Sequence, residues 1–203
     1  MNTIFICHNY IDESFSSMSF YLANRLAEEG NRIVFISKKP YYKEEVKHYL
    51  GNGELVLTSW PSEKFSTSIK DFRWFASLFR KFKPSVVIGH HNGSITSLIT
   101  SKIIGRKNVK TLEYYHVCTP SFISDAKGLT ARLKFFFFRK RVFYHLFCDH
   151  VICPSLFSVR DLENYYYYKK GVEIMNPLPD RFKEEPNPSR KRDLVSYLGR
   201  LDP

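Results

Sequence analysis

The sequence predicts an α/β fold: a doubly wound, Rossmann-like, mostly parallel sheet with helices on both faces. Short β-branched runs alternate along the chain with longer amphipathic segments. Each long segment must carry the chain back across the sheet, which makes neighbouring strands parallel. The composition agrees, because 43% of the 203 residues are hydrophobic and 25% are charged. These proportions are typical of a chain that buries a core, and they argue against a disordered or fibrous protein.

Eight short apolar runs are predicted to be strands. Each is rich in Val, Ile, Leu or Phe and stops at polar or turn-forming residues. The predicted strands are Ile4–Cys7, Ile33–Ile36, Leu55–Leu57, Val86–Ile88, Val109–Glu113, His150–Cys153, Val172–Met175 and Leu194–Leu198.

Five longer segments between these runs are predicted to be helices. Apolar residues recur at helical spacing from Phe15 onward, and Gly30 is placed to end that helix. Pro84 ends the second helix, and Ser155 is the predicted N-cap of the last. The other predicted ranges are Ser66–Phe82, Gly93–Ile104, Leu129–Phe147 and a final helix that ends near Tyr165.

The end of the chain has a different composition from the rest. Residues 181–193 are polar and contain two prolines, which predicts a linker. Residues 194–203 then read as the first strand of a second domain whose remainder is absent from the sequence. We therefore expect a Rossmann-like domain over residues 1–180, followed by that linker and the start of a further domain.

Polar residues follow the ends of several predicted strands. In parallel α/β sheets ligands bind outside the carboxyl ends of the strands, near the point where strand order reverses. Neighbouring side chains of an extended segment point to opposite sides, so at most one of His90 and His91 is expected to face a ligand. The candidate ligand-binding residues at this edge are His8, Asn9, His90, His91, Asn92 and His116. For His116, the alternative is a histidine bonded to a backbone carbonyl at a strand end.

The formal net charge is +11, and the excess is concentrated in two basic-aromatic segments, residues 64–83 and 127–147. Basic residues beside Phe and Trp suit an anionic membrane surface. The residues predicted to contact such a surface are Arg73, Trp74, Arg80, Lys81, Arg139, Lys140 and Arg141. The alternative is that these are ordinary helices, with aromatic side chains packed on the sheet and charges in solvent.

Other features bear on location and partners. No apolar stretch reaches the roughly 20 residues of a spanning helix, and no secretory signal is recognised. The four cysteines lack a close Cys-x-x-Cys pair, which favours reduced, buried thiols. We expect a cytoplasmic protein. If the basic-aromatic segments do contact a membrane, it is the inner face of the cell membrane. No nucleic-acid motif is recognised, so no nucleic-acid partner is expected.

Five stretches, in the same order along the chain, resemble motifs of one enzyme family. They are KPSVVIGHH (83–91), TLEYYH (111–116), DHVICPSLFSVRDL (149–162), VEIMNPLPD (172–180) and SYLGRLDP (196–203). Together they make the chain resemble the N-terminal, acceptor-side domain of the family 4 glycosyltransferases, which have the GT-B fold.

The resemblance implies retaining transfer of a sugar from a nucleotide-sugar donor to an acceptor. Our hypothesis is that the acceptor is a cell-surface glycan or a lipid-linked molecule, and the basic-aromatic segments fit a lipid-linked one. The resemblance further implies that His116 is catalytic and faces the transferred sugar, and that Arg200 contacts the donor pyrophosphate. Ser16 and Ser17, at a predicted helix start, are further candidate donor-phosphate contacts, although capping the helix is their simpler role. His8, Asn9 and the 90–92 segment become candidate acceptor contacts.

The resemblance also implies that no metal or other cofactor is needed beyond the donor substrate. The missing second domain is the partner that completes the enzyme, so this chain alone is expected to be inactive. Two alternatives stay open on the sequence. One is a non-catalytic Rossmann-like binding module, and the other, with less support, is a basic nucleic-acid-binding domain.

Overall fold

A computed structural model describes residues 1–9, 14–38, 53–62, 65–90, 93–116, 118–125 and 130–176, with the backbone alone at 14–17, 93, 94 and 125. The predicted linker, the predicted strand Leu194–Leu198 and Arg200 lie outside these residues. The domain boundaries at 180 and 193 therefore stay predictions.

Seven strands form one sheet in the order β3-β2-β1-β4-β5-β6-β7, and every neighbouring pair is parallel. This arrangement confirms the predicted doubly wound, Rossmann-like class. The strands are β1 (Thr3–Cys7), β2 (Arg32–Ser37), β3 (Glu54–Ser59), β4 (Val86–His90), β5 (Lys110–Tyr114), β6 (His150–Cys153) and β7 (Gly171–Glu173).

Six α-helices are described: α1 (Ser14–Glu28), α2 (Ile69–Phe82), α3 (Gly93–Gly105), α4 (Thr119–Asp125), α5 (Ala131–Phe147) and α6 (Leu156–Tyr166).

The predicted helices are confirmed, and their ends follow the capping residues. Gly30 follows α1 with a φ of 86°, the left-handed conformation in which glycine ends helices. Ser68 caps α2 in a capping box with Asp71, so α2 begins at Ile69 rather than at Ser66. Thr130 caps α5, which therefore starts two residues later than predicted. The short helix α4 was not predicted.

The sheet buries a core on each face. On one face, Phe20, Ala23 and Ala27 of α1 pack on Ile6 and Phe35. On the other face, residues of α2, α3, α5 and α6 pack on the strand side chains that point to that face. This larger cluster includes Phe75, Leu98, Tyr144 and Leu162. Helices on both faces leave the two ends of the strands as the accessible edges of the sheet.

Asp149 joins α3 to the start of β6. Its Oδ2 accepts hydrogen bonds from Lys102 Nζ at 2.6 Å, from the Thr111 amide at 2.8 Å and from the Thr111 hydroxyl at 3.1 Å. Partial burial alone would raise the pKa of Asp149. The hydrogen bonds from Lys102 and Thr111, together with the positive charge of Lys102, outweigh burial and hold the pKa of Asp149 below its ordinary value.

Replacing Asp149 with asparagine should lower the free energy of unfolding by about 1–2 kcal/mol at pH 7, because a charged acceptor of three hydrogen bonds is lost. A depressed pKa stabilises the fold above the ordinary aspartate pKa, roughly 4, and this contribution disappears as pH falls through the folded-state value. Urea unfolding of both proteins should show the difference at pH 7 and a smaller one near pH 3. An equal difference in the free energy of unfolding at both pH values would contradict a lowered pKa of Asp149. Exposed Glu163, changed to glutamine, is the control.

Candidate active site

Strand order reverses between β1 and β4, since β1 has β2 on one side and β4 on the other. This is the switch point at which such sheets bind ligands. Cys7 at the end of β1 pairs with Gly89, so His8 and His90 follow at the same level on adjacent strands. His90 in turn pairs with Tyr114 at the end of β5. The polar residues that follow these strands therefore do gather at one edge, as predicted.

His90 and His116 form a linked pair at this edge. His90 Nδ1 lies 3.0 Å from His116 Nε2, and the ring centroids are 5.2 Å apart. Tyr114 stacks on both rings, with centroids 5.0 Å from His90 and 4.6 Å from His116. His90 is buried, whereas His116 is partly exposed. The buried imidazole and the tyrosine therefore hold the accessible imidazole in one orientation.

The contact between the two imidazoles couples their protons. Two ring nitrogens 3.0 Å apart share one hydrogen, so one ring donates and the other accepts. Ser19 Oγ of α1 lies 3.4 Å from His90 Nε2 and can accept or donate there. If His90 donates from Nδ1, a neutral His116 carries its proton on Nδ1; if His90 accepts, His116 Nδ1 holds a lone pair. The pair can thus present either a donor or an acceptor at His116.

The end of the sheet beyond β5 contributes a further contact. The Tyr114 hydroxyl donates to Asn176 Oδ1 at 2.6 Å, and Asn176 lies just after β7. This bond fixes the hydroxyl end of the ring on which both imidazoles stack. Neither Tyr114 nor Ser19 was singled out from the sequence, although Tyr114 precedes His116 by two residues at a strand end.

Asp161 of α6 holds the segment on both sides of His116. Its Oδ2 accepts from the Tyr115 hydroxyl at 2.5 Å and from the Thr119 amide at 2.8 Å. Asp161 is 5% exposed, so this carboxylate relies on protein donors. Burial, the neighbouring Tyr166 and Asp161 together raise the pKa of Tyr115, and its hydroxyl keeps the proton that it donates. Asp161, which is 45 residues downstream of His116, therefore holds the chain on both sides of this histidine.

The other candidate contacts lie at the same edge in different environments. His8 is buried: its amide donates to Ile36 O at 2.9 Å, its carbonyl accepts from Trp60 Nε1 at 3.0 Å, and its ring meets Phe35 edge-on. Asn9 is buried too. Because His8, Asn9 and His90 are buried in this conformation, the acceptor-binding roles given to them stay predictions.

Several predicted site residues cannot be placed. His91, Asn92 and Arg200 lie outside the described residues, and Ser16 and Ser17 lie in the first turn of α1 with only their backbone described. Within the described ranges, no three His, Cys, Asp or Glu side chains come together in the manner of metal ligands. The expectation that no metal is needed stays a prediction.

The residues predicted to meet a membrane divide into two groups. Arg73, Arg80 and Lys81 are exposed on α2 and Arg139 and Arg141 on α5. Trp74, however, is half-buried and packs on Trp60, with ring centroids 5.3 Å apart. This packing gives no support to a membrane contact by Trp74. Lys140 points inward along α5 and donates to the Tyr144 hydroxyl at 3.3 Å.

The fold and this edge define the class of protein: a Rossmann-like α/β domain with a polar site at its switch point. The chain belongs to family 4 of the glycosyltransferases, because the profile described as Glycosyltransferase Family 4 matches residues 17–177, more than half of the chain. The resemblance found in the five sequence stretches is thereby confirmed. No curated protein matches the chain.

Solved glycosyltransferase structures share the fold. HepE from Anabaena, solved in complex with UDP and glucose, aligns with a TM-score of 0.62 and 11% identity, over 93% of this chain and 48% of its own. A glycosyltransferase from Rickettsia africae aligns with a TM-score of 0.59 and 16% identity, over 90% of this chain and 48% of its own. The chain thus spans about half the length of these structures.

Proposed function

We propose that this chain is the acceptor-side domain of a retaining glycosyltransferase that moves a sugar from a nucleotide-sugar donor to a cell-surface glycan or lipid-linked acceptor. The observation that carries the proposal is the His90–His116 pair at the ends of β4 and β5, beside the switch point of the sheet. Family membership and the complex of HepE with UDP and glucose support a nucleotide sugar as donor.

His116 is the catalytic residue of this proposal, and His90 is its positioning residue. Sugar transfer passes through an oxocarbenium-like state, and a preorganised neutral imidazole can hydrogen-bond a sugar hydroxyl while positive charge develops. With His90 donating from Nδ1, His116 offers Nδ1–H to a sugar oxygen. The stack on Tyr114 removes the rotamer freedom that would otherwise be lost on binding.

The donor is held mainly by a second domain in this proposal, because the chain spans about half of the related structures. Arg200 would pair with the pyrophosphate through its planar guanidinium, and the first turn of α1 with Ser16 and Ser17 would add N-terminal dipole and hydroxyl contacts. Neither interaction requires a metal. The chain alone is expected to be inactive. The complete enzyme is expected to act in the cytoplasm.

The test is to incubate the complete gene product with a panel of nucleotide sugars, UDP-glucose first, and to measure nucleotide release with and without membrane extract as acceptor. We expect release with at least one donor and little or none with residues 1–203 alone. A complete gene product that is folded yet inert with every common donor would contradict the proposal and favour a binding module.

A further inference from the structure

Helix α5 has two apolar faces on opposite sides. The inner face includes Phe137 and Tyr144, which are 8% and 0% exposed and belong to the core. The other face carries an outer stripe of apolar residues at positions i, i+3, i+7 and i+11, a spacing that keeps them on one side of a helix. The outer stripe consists of Phe135, Phe138, Val142 and Leu146, which are 62%, 61%, 39% and 62% exposed.

The four consecutive phenylalanines explain why an outer stripe exists. Residues 135–138 turn by 100° at each step and so cover most of the circumference of the helix. The sheet can bury only one side of α5, and therefore Phe135 and Phe138 face outward. A contiguous exposed patch of large apolar side chains on a soluble domain marks an interaction surface.

Basic residues border the outer stripe on both sides. Arg132 and Arg139 lie along one border, and Lys134 and Arg141 lie along the other, by helical spacing. Helix α5 contains no acidic residue, and none of its basic side chains forms an ion pair with any described residue. The surface therefore joins an apolar centre to positive borders, which suits an anionic partner with an apolar interior.

A groove of about 240 Å³ opens beside the outer stripe. Two basic residues and three aromatic residues from α5 and α6 line it: Lys134, Arg141, Phe137, Phe138 and Tyr165. The Cζ of Arg141 also lies 4.3 Å from the centroid of the Tyr167 ring, a cation–π contact that restrains the guanidinium. This arrangement fits a phosphate head group with the first part of an acyl chain.

We propose that the outer stripe of α5 lies in the interface of an anionic phospholipid bilayer, with its apolar side chains at the acyl boundary and Lys134 and Arg141 at the phosphates. Basic borders of this kind are typical of interfacial helices, whose long cationic side chains reach back to the head groups. The proposal does not depend on sugar transfer, since it rests on the surface of α5 and the groove that adjoins it.

Charge argues against two other occupants of the outer stripe, a second copy of the chain and the residues that follow the described part. A second copy of the chain would bring two sets of basic borders together, which is repulsive. Residues 177–203 contain six Lys or Arg and five Asp or Glu, so they offer no net negative charge to cover it. No described helix is long and apolar enough to cross a bilayer, so the contact proposed is peripheral.

Helix α2 supplies a matched control. Arg80 and Lys81 are exposed and basic, like the borders of α5, but the aromatic residues Phe75 and Phe79 of α2 are buried in the core. Charge without an exposed apolar stripe should give weaker and less specific binding. The two helices therefore separate general electrostatic attraction from the interfacial mode that we propose for α5.

The experiment is flotation of the 203-residue chain with vesicles of phosphatidylcholine alone or mixed with phosphatidylglycerol. We expect binding only to the mixed vesicles, weaker as salt is raised. The double substitution Lys134→Glu and Arg141→Glu should lower the apparent affinity by about tenfold or more. Phe135→Ser with Phe138→Ser should abolish binding. Arg80→Glu with Lys81→Glu should change the affinity by less than about threefold, because our proposal, unlike the prediction from sequence, places α5 and not α2 at the interface.

A fluorescence measurement keeps the result independent of folding defects. When vesicles are added to Phe138→Trp, the emission of the introduced tryptophan should shift to the blue and should be quenched by brominated lipid. The tryptophan introduced by Ile69→Trp on α2 should show neither change. The proposal would be overturned if the charge reversals on α2 and α5 lowered vesicle binding equally. It would also be overturned if the chain bound neutral vesicles alone or bound no vesicles. A dimer that is lost when Phe135 and Phe138 are replaced would overturn it as well. Duplex DNA binding that is lost on the same α5 substitutions while vesicles are not bound would overturn it in favour of nucleic acid.

Discussion

Replacing His116 with alanine in the complete gene product should lower the turnover number of sugar transfer by about a hundredfold or more. The imidazole is held by His90 at 3.0 Å and by the stack on Tyr114, so it is preorganised where the sheet binds ligands. Losing one preorganised hydrogen-bonding group at a site of developing charge has an effect of this size. Initial rates at saturating donor and acceptor give the measurement.

Two further variants separate a catalytic role from a general loss of structure. His150→Ala removes an exposed imidazole at the opposite end of the sheet and should leave turnover unchanged. His90→Phe keeps an aromatic ring against Tyr114 but removes the bond to His116, so turnover should fall by about tenfold while the fold persists. A turnover number unchanged in His116→Ala would remove His116 from the mechanism.

Replacing Asp161 with alanine should lower the free energy of unfolding by about 2–4 kcal/mol. The substitution leaves the Tyr115 hydroxyl and the Thr119 amide buried without their acceptor, and each unsatisfied donor costs about 1–3 kcal/mol. Urea unfolding followed by circular dichroism gives the measurement. The neighbouring Glu163 is exposed on the same helix, and Glu163→Ala should change stability by less than about 0.5 kcal/mol.

The same substitution also tests whether Asp161 positions His116. If Asp161 positions His116, the complete enzyme with Asp161→Ala should lose turnover even at a temperature where it stays folded. A loss of stability below about 1 kcal/mol, with unchanged turnover, would mean that the Tyr115–Asp161–Thr119 contacts do not position His116.

The fold and the position of the site were predictable because both follow from local patterns. Parallel strands joined by helices bring all carboxyl ends to one edge, so histidines after Ile88 and Glu113 had to lie close together. The contact between Nδ1 of His90 and Nε2 of His116 depends on the side-chain rotamers of both residues. The positions of the two histidines in the sequence do not determine these rotamers. Asp161 was missed for a similar reason, since its partner Tyr115 is 46 residues away.

The basic-aromatic segments show where sequence patterns become ambiguous. The buried residues Phe75 and Phe79 of α2 are four apart, so one side of the helix enters the core and Trp74 packs beside them. On α5 the run 135–138 covers both sides, so only part of it can be buried. The same composition therefore serves core packing in one helix and an exposed surface in the other. The unpredicted helix α4 is a single short segment with no apolar period.

The structure of the complete gene product with nucleotide and sugar bound tests the central claim most directly. We predict that the sugar lies at the end of β4 and β5, with one of its oxygens about 3 Å from a ring nitrogen of His116. A sugar bound at another edge of the sheet, with His116 making no contact to it, would contradict the account.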